Sequence, residues 1–335
     1  MIIYGVKNTM RFVRVCVMSM IGCAVLTPLC QQARACDFCN CLLGINPYYS
    51  SSNSIVLNFM YQRSDHPGQE AAVALPDAAM SGPIRGTPNR VYHGGEEGVA
   101  STEYRRTLEL GYQHHFGDDF LVTALMPLIS FTEQSDSRLS VLGNGDLSLF
   151  GQYIARLYDE GGARFTMLTG GGLQFPTGRT GMTDDDGELL DFRLQPGSGS
   201  FGFILAATAF YQTPDWMLTL DLFGKLNLKN GSGNHLGNGL AGGLMASREL
   251  YRDNPSAFAV IASLGVRSEF IGRDLLDGAP DPDTGATVHY VNCGALVAYD
   301  VLRVDLRALI PLTQHRNGVG GDEQTRFITS LRFVF

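Results

Sequence analysis

The stretch Trp216-Met-Leu-Thr-Leu-Asp-Leu-Phe-Gly-Lys-Leu-Asn-Leu228 sets Leu218, Leu220, Leu222, Leu226 and Leu228 against Thr219, Asp221, Lys225 and Asn227. A period of two residues places one set on each face of a strand, whereas a helix would mix them. The same alternation recurs outward from this segment. Ser54–Arg63 aligns Ile55, Leu57, Phe59 and Tyr61 opposite Asn58 and Gln62. Thr102–Phe116 aligns Tyr104, Leu108, Leu110 and Tyr112 opposite Glu103, Arg105, Thr107, Glu109 and Gln113. Val301–Leu309 aligns Leu302, Val304, Leu306 and Ala308 opposite Arg303, Asp305 and Arg307. Eight less regular segments, near 119–132, 145–157, 164–176, 200–212, 237–249, 256–271, 286–299 and 323–335, bring the total to twelve.

Several of these segments have ten or more residues, longer than ordinary soluble strands and suited to a tilted membrane span of about 9–11. Their connections alternate in length. Gly117-Asp118, Tyr158–Ala163, Thr213–Asp215, Leu250–Pro255 and Asp300 are short. Ser64–Ser101, Glu133–Asn144, Thr177–Gly199, Lys229–Leu236, Gly272–Gly285 and Gln314–Gly321 are longer. Short turns on one side and long loops on the other predict an all-β fold, a transmembrane antiparallel β-barrel of about twelve strands with both termini periplasmic. A soluble β-sandwich would share the alternation. Strand length, loop pattern and the aromatics near segment ends (Tyr112, Phe116, Phe175, Phe201, Tyr211, Trp216, Phe270 and Phe335) favour the barrel. Phe327, Leu331, Phe333 and Phe335 share a face of the last segment, which resembles an outer-membrane assembly signal and implies the barrel-assembly machinery as a partner.

Composition agrees with a chain partly hidden from water. Apolar residues make up 44% and charged residues 17%, below the roughly 25% usual for soluble domains. Residues 1–35 read as a signal peptide: Lys7, Arg11 and Arg14 precede an apolar run, and Ala33-Arg34-Ala35 offers a cleavage site before Cys36. The expected organisation is therefore a signal peptide over 1–35, a periplasmic cysteine-containing segment over 36–53, and a barrel over 54–335 in the bacterial outer membrane. From Cys36 onward 21 basic residues face 33 acidic ones, a net charge of −12, which argues against a nucleic-acid partner.

Four phrases resemble, as a set, the outer-membrane family named after the meta-pathway of phenol degradation. They are Gly143-Asn-Gly-Asp-Leu147, Gly171-Gly-Leu-Gln-Phe-Pro-Thr-Gly178, Gln195-Pro-Gly-Ser-Gly-Ser-Phe201 and Ile310-Pro-Leu312. The resemblance covers most of residues 54–335 and implies a barrel channel or transporter for small, hydrophobic or aromatic solutes. Its surroundings would be outer-membrane lipid and lipopolysaccharide, and it would need no cofactor.

With the apolar faces toward lipid, Glu103, Arg105, Glu109, Asp221, Lys225, Arg267, Glu269, Arg303, Asp305, Arg307, Arg326 and Arg332 are expected to line the lumen. Asp146 and Arg156 belong to the same set. Their mixed signs suit a paired network better than a selectivity ring. Cys36, Cys39 and Cys41 form a CxxCxC cluster able to chelate a soft ion such as Cu(I) or Zn(II). Disulfide formation or lipidation of Cys36 would use the same residues differently. A metal-handling outer-membrane protein is thus one alternative reading, and a non-transporting barrel that anchors a partner is another. No serine follows a histidine by two residues, as a His–Ser lipase arrangement on one strand requires, so the chain is expected not to be an enzyme.

Overall fold

The computed structural model describes residues 52–66, 100–135, 138–184, 187–253, 258–276, 278–317 and 321–335. Every regular element among them is a strand. In order they are β1 (Ser54–His66), β2 (Ser101–Phe116), β3 (Phe120–Gln134), β4 (Arg138–Asn144), β5 (Leu147–Glu160), β6 (Ala163–Phe175), β7 (Gly202–Gln212) and β8 (Trp216–Asn227). They continue with β9 (Gly239–Asp253), β10 (Phe258–Ile271), β11 (Leu275–Leu276), β12 (Ala279–Pro280), β13 (Ala286–Tyr299), β14 (Leu302–Arg316), β15 (Asp322–Glu323) and β16 (Arg326–Val334).

Each strand pairs antiparallel with its neighbour, and β1 closes the circle. One edge of β1 meets β2 from Ser54↔Gln113 to His66↔Ser101, and the other meets β16 from Ser54↔Val334 to Tyr61↔Phe327. The wall is a closed barrel of twelve staves, in which β4 continues β5 and β15 continues β16, while β11 and β12 form a small separate hairpin. Closure leaves no unpaired strand edge, which lipid requires.

The alternation read from the sequence becomes the two faces of this wall. Leu110, Leu205 and Leu264 are 56%, 58% and 62% exposed, while their chain neighbours Glu109, Ile204 and Gly265 turn inward. That many large apolar side chains turned outward suits lipid and not water. At the short-turn end, Gly161 and Gly162 both take positive φ between Glu160 and its partner Ala163. A two-residue hairpin whose twist matches its strands needs that conformation twice, and the pair of glycines supplies it.

Several expected loops are partly strand, Gly272–Gly285 with its β11–β12 hairpin among them. Glu133–Asn144 was expected to be a long loop, yet β4 pairs with β3 from Gln134↔Arg138 to Leu128↔Asn144, so a hairpin raises the wall there. The glycines at 143 and 145 punctuate the stave and do not end it. Likewise β14 runs on to Arg316 and shortens the last long loop. The first long loop lies mostly outside the described residues.

Candidate functional site

The inward faces build two different surfaces. The first is apolar: Met60, Leu125, Phe150, Ile204, Phe223, Ala241, Val288, Tyr290, Leu309 and Ile328 belong to one packed cluster that draws on ten of the twelve staves. Met60, Val288 and Tyr290 are fully buried, and Leu125, Ile204 and Phe223 are 1% exposed. A greasy girdle therefore crosses the interior. The sequence reading missed it because alternation alone cannot distinguish an apolar inward residue from a break in the pattern.

The second surface is charged and internally matched. All twelve residues expected to line the lumen lie on inward-facing positions of their strands. Fully buried Arg326 lies 2.8 Å from Glu323 Oε1 and 3.3 Å from Glu269 Oε2. Its Nη2 also donates to Tyr290 Oη at 2.9 Å, and that hydroxyl donates to Glu323 Oε2 at 2.9 Å. Arg267 bridges Asp221 at 3.0 Å and Glu269 at 2.8 Å, tying β8 to β10. Arg307 pairs with Asp305 at 2.6 Å, and Arg303 donates to the Asp300 carbonyl at 2.8 Å. Glu103 Oε1 is 3.0 Å from His66 Nε2. Glu109 accepts from Asn58 at 2.8 Å, and Asn58 in turn accepts from Ser330 at 2.7 Å. Lys225, Arg105 and Arg332 are buried in the same interior. Pairing of this kind offsets desolvation.

The long-loop end is strapped down by the residues of the quoted phrases. Asp146, in the break between β4 and β5, accepts from the Gly178 and Ser198 amides, at 2.8 and 2.9 Å. It also accepts from Ser198 Oγ at 2.6 Å and from Gln174 Nε2 at 2.7 Å. Asp146 therefore serves a clasp, where the sequence placed it among the charges lining the lumen. Gly178 and Gly197 cross so closely that a Cβ on either would lie 2.4 Å from the other's backbone. Above them Leu190, 3% exposed, packs on the inward-facing Phe131 and Val141 of the raised hairpin. Arg193 binds Asp191 at 2.9 Å and reaches Asp281 of the β10–β13 loop at 3.1 Å. Burial works against its charge, but the hydrogen bond to Asp191 and the fields of Asp191, Asp281 and Asp274 raise its pKa above the usual arginine value. His235 completes the cover through backbone hydrogen bonds with Leu275, of 3.0 and 2.8 Å. Burial lowers its pKa, with backbone hydrogen bonds acting the other way.

A family model described as "Putative MetA-pathway of phenol degradation" matches residues 90–320, and that span contains all four phrases. The chain belongs to this family. No curated protein matches the chain. Among solved structures, the COG4313 outer membrane channel from Pseudomonas putida F1 is similar at a TM-score of 0.59 and 16% identity, over 86% of this chain and 97% of that one. LpxR from Salmonella typhimurium gives a TM-score of 0.39 at 11% identity, over 84% and 100% of the two chains. The deltaS2S3 mutant of the TodX monoaromatic hydrocarbon channel gives 0.38 at 10%, over 91% and 96%. The first likeness shows the fold, that of an outer-membrane β-barrel; the other two scores carry nothing further.

The remaining candidates in this MetA-pathway family member are resolved unevenly. Cys36, Cys39 and Cys41 lie outside the described residues, as do the signal peptide and all but the last two residues of the cysteine-containing segment. Among the described residues no group of three metal-ligating side chains gathers, and Cys293 is a free thiol on β13. His114 stacks its ring edge-on to Phe116 at 4.5 Å on the outward face, and His115 turns the other way. A Ser–His contact does exist, but across strands: Ser268 Oγ is 2.7 Å from His289 Nδ1, beside Phe270 on the outward wall. A search for spacing along one strand could not have found it.

Proposed function

We propose that this MetA-pathway family member is a passive outer-membrane channel for small apolar solutes, aromatic ones included. The apolar girdle carries this reading. A solute crossing the interior must leave water, and a girdle drawn from ten staves compensates only an apolar one. Arg267, Arg307 and Arg326 are already engaged with carboxylates, so they offer little reward to an ion. The solute gradient supplies the driving force, and the reading calls for no cofactor and no catalytic step. The short turns and both termini would face the periplasm, the long loops the exterior.

Uptake of radiolabelled toluene at low concentration, by Gram-negative cells expressing the chain, tests the reading directly. Initial uptake should exceed that of empty-vector cells several-fold, while glycerol uptake stays at the vector level. Equal toluene uptake in both strains would sink the channel reading. Equal enhancement of glycerol would remove the girdle as its selective element.

A further inference from the structure

The short-turn mouth holds a cleft of about 190 Å³ that the passage itself does not require. Pairing register explains its walls. Gln212 lies opposite Met217, Met217 opposite Ser247, and Ser247 opposite Ser263, so one rung runs across β7, β8, β9 and β10. Phe210 and Met217, 5% and 8% exposed, give the cleft an apolar floor, which Ile261 extends. Ser247 lines the same space and is 1% exposed, yet its Oγ has no hydrogen-bond partner. A buried hydroxyl left with unused hydrogen-bonding capacity is costly unless something comes to meet it.

The rim fixes the charge of the occupant. Arg164 is 3.2 Å from Asp159, Arg156 is 3.5 Å from Asp119, and Arg252 pairs with Glu249. Each arginine lining the cleft thus already faces a carboxylate, and an anionic ligand there would have to displace one. Size follows from volume: an apolar cavity of roughly 150 Å³ accepts benzene, so this cleft takes one ring and a small substituent.

We propose that the cleft is a binding station for a neutral, one-ring-sized molecule carrying a single hydrogen-bonding group. The ring lies on Phe210 and Met217, and its polar group exchanges a hydrogen bond with Ser247 Oγ. The proposal rests on the channel reading and deepens it, naming a stop at the short-turn end where solute is held before release.

Methyl-labelled methionine in the full chain, inserted in lipid nanodiscs, gives a local readout. Met217, assigned through Met217→Leu, reports the cleft; lipid-facing Met126, 40% exposed, reports partition into the bilayer. Benzyl alcohol, toluene and benzoate are the probes, similar in size and different in polar group. Benzyl alcohol should shift the Met217 resonance saturably while Met126 responds linearly. Ser247→Ala should weaken benzyl alcohol about tenfold and leave toluene unchanged. Benzoate should bind at least about tenfold more weakly than benzyl alcohol, since it must break a rim pair. Ile261→Trp, which fills the cleft and keeps the reporter, should abolish the response. A silent Met217 methyl overturns the station, as does Ser247→Ala weakening benzyl alcohol and toluene equally. The uptake assay separates the two readings: uptake with a silent Met217 leaves a channel without a station, and a responsive Met217 without uptake leaves a binding protein.

Discussion

The two mouths of the barrel differ in what their central polar groups meet. At the long-loop end, Asp146 takes up four donors, Arg193 ties two loops together, and glycines let two backbones touch. At the short-turn end, Ser247 keeps an unused hydroxyl above an apolar floor, and the rim ion pairs are half exposed. Saturated networks hold geometry, and unsaturated ones invite ligands. One end of this barrel is therefore built to stay as it is, and the other to receive something.

That contrast can be broken most forcefully at Arg326. Arg326→Ala leaves Glu269 and Glu323 buried without their central partner, and stability should fall by about 3–5 kcal/mol. Urea unfolding of the detergent-solubilised barrel reads this, and a loss below about 1 kcal/mol would show that the network is ornamental. Next in size is Asp146→Ala, which orphans the Gly178 and Ser198 amides at a cost of about 2–3 kcal/mol. Hydrogen exchange at those amides should accelerate at least about tenfold, while amides around Ser247 keep their rates. Acceleration at both ends would mean that the two mouths are not independent.

The smallest effect is a pH dependence at His235. Its folded pKa lies below the ordinary value near 6.5, so the unfolded chain binds a proton first. The His235–Leu275 contact is then fully supported above about pH 6.5 and loses support as the pH falls below it. Exchange of the Leu275 amide should accelerate between about pH 7 and 5 and should lose this dependence in His235→Phe. A pH-independent rate would show that the ring does not report on the loop cover.

The wall was legible because lipid enforces a rule on every stave. Leu218, Leu220 and Leu226 could face only one way, and the opposite position of Asp221 and Lys225 followed. The hairpin of β3 and β4 was harder to see, since Gly143 and Gly145 read as the opening of the next strand after a loop. The phrases around Asp146 and Gly178 stood out as a set, but their role depends on a crossing of two backbones that no linear spacing displays. The girdle was hidden for another reason. Phe150, Ile204 and Phe223 are apolar residues on the supposedly polar face, and without the closed barrel they look like noise in the alternation. Ser247 gave no signal at all, because its meaning lies in the lack of a partner.

The hydrogen bond from Ser330 to Asn58 joins residues 272 positions apart in the chain. It lies in the seam where the first and last staves meet, and it can form only after everything between them is in place. Contacts of such separation are slow to find and give nothing in return until they close. Assembly of this barrel is thus all or nothing: a chain shortened at β1 or β16 loses a stave and also the event that locks the other eleven. Its last step, joining a newly made end to the oldest one, sets the moment at which the membrane acquires a finished wall.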